Sequence, residues 1–160
     1  MTLLEGLSSV RLFANMPPSA RERLAPWVVE RRVSAGDVLI KEGEPAAGLF
    51  MLVEGEAVVC KQVSGATEAL VTRVGVGDHL GEIDLLDAES ATASVLMATD
   101  GRVLVLDIER LRRMLVTDRA LFAHVAKALF VDLAEKVRQT NQRVRETIAW
   151  GLEATGETAG

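Results

Sequence analysis

The run Gly81-Glu82-Ile83-Asp84-Leu85-Leu86 has the residue types and the order from which this chain could do chemistry. It has the character of a tight turn entering one short helical turn. Gly81 allows a backbone geometry or a close approach that a side chain would block. The amides that follow, Ile83 to Leu85, are then placed to point together at an anion, as free N–H groups do at helix starts and in backbone nests. Glu82 is an acceptor beside that anion site. The pair suits a ligand that carries both a phosphate and a hydroxyl. After a short gap the chain resumes as a strand, Thr92 to Met97, rich in β-branched and small residues.

Other chemistries find little support. The single cysteine, Cys60, excludes an internal disulfide framework and a four-thiolate cluster. The two histidines, His79 and His124, lie far apart in sequence, so no metal site is expected. No glycine pattern joins a strand to a long helix as a phosphate loop does. Glu82 and Asp84 are poor candidates for paired acid–base carboxylates, and no nucleophile and base accompany them; an enzyme is not expected.

The elements around this run are those of one domain with a long tail helix. At 160 residues and 49% apolar content the chain is long enough to bury a sizeable core. Its net charge of −5 and pI of about 5.1 lack the basic footprint of a nucleic-acid binder. No signal peptide or membrane-length apolar run is evident, so a cytoplasmic protein without a membrane partner is expected. Met1 to Val29 reads as helical and irregular, with Pro18 and Ser19 opening a short helix that ends near Pro26 and Trp27. From Val28 to Asp107 short apolar runs alternate with glycine turns: Val38–Ile40, Leu49–Val53, Ala57–Cys60, Ala69–Val74 and Arg102–Leu106. Such spacing indicates an antiparallel sandwich, barrel or jelly roll. Gly43, Gly55, Gly75 and Gly101 are read as turn residues at positive φ. His79 is assigned to core or pocket-edge packing, and Cys60 to a buried position.

Asp107 to Val116 reads as a short helix with Asp107 as its N-cap. From Asp118 to Trp150, apolar residues fall at Phe122, Val125, Leu129, Leu133, Val137, Val144 and Ile148, with Thr140 filling the gap. These steps give one amphipathic helix of about 45 Å, longer than a compact domain of this size. Its far half needs a partner, expected to be its own copy in a parallel two-helix coiled coil; a helix folded back on its own domain is the alternative. Arg138, Arg143 and Arg145 alternate with glutamates and glutamines, the pattern of a solvated face. The last stretch, 151–160, is expected to fray.

Taken together, Gly81-Glu82-x-x-Leu85-Leu86 followed by Ala93-Ser94-Val95 resembles the phosphate-binding cassette of the cyclic-nucleotide-binding domains. These occur in catabolite-activator-type (Crp/Fnr-like) regulators, gated channels and kinase regulatory subunits. Gly36-Asp37-x-Leu39-Ile40, Gly43-Glu44, Leu49-Phe50-x-Leu52-Val53-x-x-Gly55 and Gly75-x-Gly77-Asp78 agree with the same family. The resemblance implies a mainly β fold: an antiparallel jelly roll, or double-stranded β-helix, with N-terminal helices over residues 1–116, then the long dimerisation helix 117–150 and a flexible tail 151–160. It places ligand contacts at Gly81, Glu82, Ile83, Asp84, Leu85, Ser90, Ala91, Thr92 and Ala93, with Asp132 on the long helix near the base. Glu82 would hold the ribose 2′-hydroxyl, and cAMP or cGMP is the candidate ligand.

Two positions depart from the pattern. Ala91 stands where the family has an arginine that clamps the cyclic phosphate, and Asp84 where a small residue is usual. Losing such a charged partner costs about 2–5 kcal/mol. A carboxylate about 6 Å from the phosphate adds up to roughly 3 kcal/mol of repulsion at an effective dielectric near 20. Hydroxyls at Ser90 and Thr92 return only about 1 kcal/mol each. Three readings follow: a regulatory sensor with a divergent pocket that binds cAMP and cGMP weakly or not at all; a true receptor with a substitute phosphate contact; or a structural dimerisation module. The transcription factors of the family continue into a helix-turn-helix domain. This sequence has no room for one, so specific DNA binding is not expected.

Overall fold

The computed structural model describes residues 1–65, 67–87 and 90–156, with the backbone alone at Thr67, Glu68, Asp84, Leu86 and Asp87. In chain order the elements are α1 (Leu3–Ser9), α2 (Pro18–Leu24), β1 (Val29–Val33), β2 (Val38–Ile40), β3 (Gly48–Glu54), β4 (Ala57–Ser64) and β5 (Thr67–Val74). They continue with β6 (His79–Leu80), α3 (Glu82–Asp87), β7 (Ser94–Met97), β8 (Gly101–Asp107), α4 (Ile108–Thr117) and α5 (Arg119–Thr155). The strands form two four-stranded sheets, ordered β1-β8-β3-β6 and β2-β7-β4-β5. Every pairing is antiparallel.

Side chains alternate faces along a strand, and β3 and β8 use both faces. Leu49, Met51, Val53, Leu104 and Leu106 point into one apolar cluster with α1, α2, α4 and α5. Phe50, Leu52, Val103 and Val105 point into a second, between the sheets, with Ile40, Ala57, Val95 and Met97. That sheet is covered on both sides, which explains why Leu49–Val53 is a continuous apolar run. The result is the jelly roll, with helices packed on one outer face.

Local signals fix the helix starts. Thr2 and Glu5 form a capping box on α1. Asp107 caps α4 by accepting the Arg110 amide at 2.8 Å, as the sequence predicts. Asp118 caps α5 through the Leu121 amide. Only the first part of α5 is docked: Leu121, Val125 and Leu129 are buried, whereas Val137, Val144, Ile148 and Trp150 are exposed.

Several expectations need correction. The helix does not stop at Trp150 but runs to Thr155 and ends in a left-handed cap at Gly156, so 151–155 are helical; 157–160 lie outside the described residues. Gly43 and Gly55 have positive φ, but Gly75 and Gly101 do not. Gly101 is needed for close approach instead, since a Cβ there would lie 2.1 Å from the Glu54 carbonyl oxygen. Cys60 is half-buried rather than buried.

Candidate ligand site

Gly81 shows why the cassette begins with glycine. Its φ is +89°, and a Cβ would meet the Gly48 carbonyl oxygen at 2.5 Å. The chain can therefore pass tightly over β3 and start α3. Leu85 then anchors α3 in the helical cluster, while Ala91 is buried between the sheets. The cassette is thus tied to both cores.

A small cavity of about 150 Å³ opens at this turn, lined by Ile40, Gly81, Glu82, Ile83, Thr92 and Ala93 among others. These include five of the residues singled out from sequence. The others fall elsewhere. Leu85 is core, and its amide is not free for an anion: it donates to the Gly81 carbonyl at 3.0 Å. Ser90 is exposed and bridges to Pro45. The Ala91 amide donates to Glu44 and its carbonyl accepts from Gly43, both at 2.9 Å. The Asp84 side chain lies outside the described residues. Asp132 lines a different cavity.

That second cavity, of about 810 Å³, lies between β4, β5 and β6, the N-terminal segment and α5. Leu80 lines both, so the two are contiguous. Its lining combines apolar Leu12, Val59 and Val74 with Arg11, Lys127 and His124.

Where the cavities meet, four side chains form a network. Glu82 is 7% exposed, the one charged residue buried among the described residues, and it is ion-paired with Lys136 of α5. Lys136 also lies 3.0 Å from Asp132, one helical turn before it. Asp132 lies 3.0 Å from Nε2 of His79, which is 4.0 Å from Glu82. Burial alone would pull the Lys136 ammonium down. The hydrogen bond and charge of Glu82, followed by those of Asp132, outweigh this and raise it above the ordinary lysine value. Asp132 is therefore not a solvent-facing charge. One ligand atom each from His79, Glu82 and Asp132 lie within 4.8 Å of one another, a cluster that sequence separation hid. The Lys136 ammonium already pairs with two of its members, the Glu82 and Asp132 carboxylates.

Lys136 is the site residue that sequence reading missed. Its one local signal was the i, i+4 spacing from Asp132; that it meets Glu82 depends on how α5 docks. Among the described lining residues of the small cavity none is basic, and Glu82 is the ionisable one.

The architecture is a jelly roll with a glycine-turn cassette and a trailing long helix. The family model described as "Cyclic nucleotide-binding domain" matches residues 30–118. The chain belongs to that family. It is 26% identical over 144 residues to a CRP-like cAMP-activated global transcriptional regulator of Mycobacterium tuberculosis, covering 90% of this chain and 62% of the relative. It is 31% identical over 109 residues to a cAMP-dependent protein kinase regulatory subunit of Aspergillus niger, covering 68% of this chain and 26% of that one. The N-terminal domain of a transcriptional regulator from Streptomyces coelicolor A3(2) superposes with a TM-score of 0.70 at 27% identity, covering 86% and 95% of the two chains. The chain thus spans less than two thirds of the curated relatives it matches. Those relatives are regulators by name. No described helix is long and apolar enough to cross a membrane.

Proposed function

We propose that this chain is a non-catalytic sensor module whose divergent cleft binds cAMP and cGMP weakly or not at all, and whose α5 pairs with a second copy. The carrying observation is the charge of the cleft. The small cavity presents the buried carboxylate of Glu82 and no basic lining residue among those described, with Ala91 packed in the core. An anion placed there meets no basic lining residue, and the nearby Lys136 ammonium is already held by Glu82 and Asp132, which costs about 2–5 kcal/mol relative to an arginine-bearing site. Pairing of α5 is supported by its undocked half: Val137 and Val144 stand seven apart, both half exposed or more, with Ile148 beyond them.

Calorimetric titration of nucleotide-free protein with cAMP and cGMP tests the reading. The native protein is expected to stay silent at micromolar ligand, and an Ala91→Arg variant, less stable because the alanine is buried but still folded, to bind. Micromolar binding by the native protein overturns it in favour of a receptor with a substitute cation. That second reading has its own support in Arg11, Lys127 and Lys136, which line the contiguous larger cavity.

A further inference from the structure

We propose that Lys136 is a latch on the cassette: its ammonium holds the Glu82 carboxylate, and a ligand hydroxyl must take that carboxylate from it. Occupancy of the cleft and docking of α5 then compete for one side chain. This rests on the reading of the Gly81–Ala93 cleft as a ligand site, and it names how that site is regulated.

A side chain as buried as Glu82 requires a partner, because an unpaired buried polar group is costly. The cassette offers none of its own, since 81–93 holds neither lysine nor arginine. The partner comes instead from 54 residues later, on α5. The two halves of the pair differ in freedom. Glu82 is fixed at the start of α3 and is 7% exposed; the Lys136 side chain is 42% exposed and can swing outward.

Release does not strand a charge on the helix, since Asp132 already lies 3.0 Å from Nζ and remains to pair with it. Asp132 also keeps His79 at 3.0 Å, so the β6 end of the network persists when the α3 end opens. What is lost is the ion pair joining α3 to α5, leaving Leu85 and its apolar neighbours to hold the cassette against the helix. A neutral hydroxyl replaces a charged donor in a buried place. Binding is therefore weakened beyond the effect of Ala91, and each binding event loosens α5.

The test uses the full chain as native protein, Lys136→Gln and Lys136→Arg. Amide hydrogen exchange is followed at 82–87 and 127–140, and cAMP and cGMP are titrated by calorimetry. Lys136→Gln is expected to raise exchange in both segments together and to strengthen nucleotide binding by about tenfold or more, because its Glu82 is left without a charged donor. Lys136→Arg keeps native behaviour. A purely structural lysine would lower stability without strengthening binding. If Lys136→Gln does not fold, the Glu82→Gln/Lys136→Gln pair, which removes both charges, carries the exchange measurement. Exchange unchanged in either segment, or weaker binding by Lys136→Gln than by native protein, overturns the latch. Coupled exchange with no nucleotide bound by any of the three proteins shows an ion pair that only joins α3 to α5 and overturns the latch, while the weak-binding reading of the cleft stands.

Discussion

Arg23 and Asp118 meet at the start of the long helix, and the Asp118 oxygen that pairs with the guanidinium also accepts the Leu121 amide at 3.2 Å. One carboxylate thus caps α5 and pins it to α2. The direction in which α5 leaves the domain is set there, and by the burial of Leu121, Val125 and Leu129 behind it.

That arrangement gives an acid signature. Arg23 first, and the Leu121 amide second, hold the Asp118 carboxyl below its ordinary value. A lowered folded-state pKa contributes stability that is present above the unfolded value and lost as pH falls through the folded one. Asp118→Asn keeps a cap but loses the charge. Its melting temperature is expected to lie a few degrees below native at neutral pH and to converge with native in strong acid. A gap that stays constant across the titration rules out this role for the pair.

Lys136 has the opposite sign. Its raised pKa means that its contribution is present below the ordinary lysine value and disappears only as pH climbs through the higher folded value. Thermal scans across the neutral range should show no loss from this pair, and toward high pH the difference between native protein and Lys136→Gln should shrink only in strong alkali. Shrinkage near neutrality would mean that another group controls the contact.

Gly81→Ala and Gly36→Ala make a matched pair. Both positions have φ of +89°, but a Cβ at Gly36 meets nothing within 4 Å, whereas at Gly81 it strikes the Gly48 carbonyl at 2.5 Å. Gly36→Ala is expected to cost about 1–2 kcal/mol for the left-handed backbone alone. Gly81→Ala should cost clearly more, read as a lower urea midpoint. Equal midpoints would show that the cassette moves away from β3 without resistance.

Leu129 and Val144 should separate docking from pairing. Leu129→Ala empties a fully enclosed site and is expected to cost about 2–5 kcal/mol at every protein concentration. Val144→Glu falls on the half-exposed part of α5 and is expected to leave the fold intact while halving the mass seen by sedimentation. A native protein that sediments as a monomer at micromolar concentration removes the basis for pairing.

The fold was legible where local chemistry fixes it. Val38–Ile40, the Asp107 cap and the glycine turn at Gly81 follow from propensity and backbone sterics, and the structure has them where expected. β1 escaped notice because Val-Glu-Arg-Arg-Val is largely exposed and gains its place by pairing with β8. His79–Leu80 is too short to give a periodic signal. The site was half legible. Its turn residues are contiguous in sequence, but the His79–Asp132–Lys136–Glu82 network joins positions separated by more than fifty residues, and only docking of α5 brings them together.

The length of α5 turns small events at the cassette into large ones elsewhere. Its 37 residues make a rod of about 55 Å, held from Asp118 to Leu129 and touched near Lys136, less than halfway along. It works as a lever with a short input arm. A tilt of about 8° about the last buried turn, at Leu129, moves Thr155 by about 5 Å, roughly one helical pitch. Whatever adjoins that end is handed a displacement of the size of a change in packing register, from a change at the cassette no larger than one ion pair.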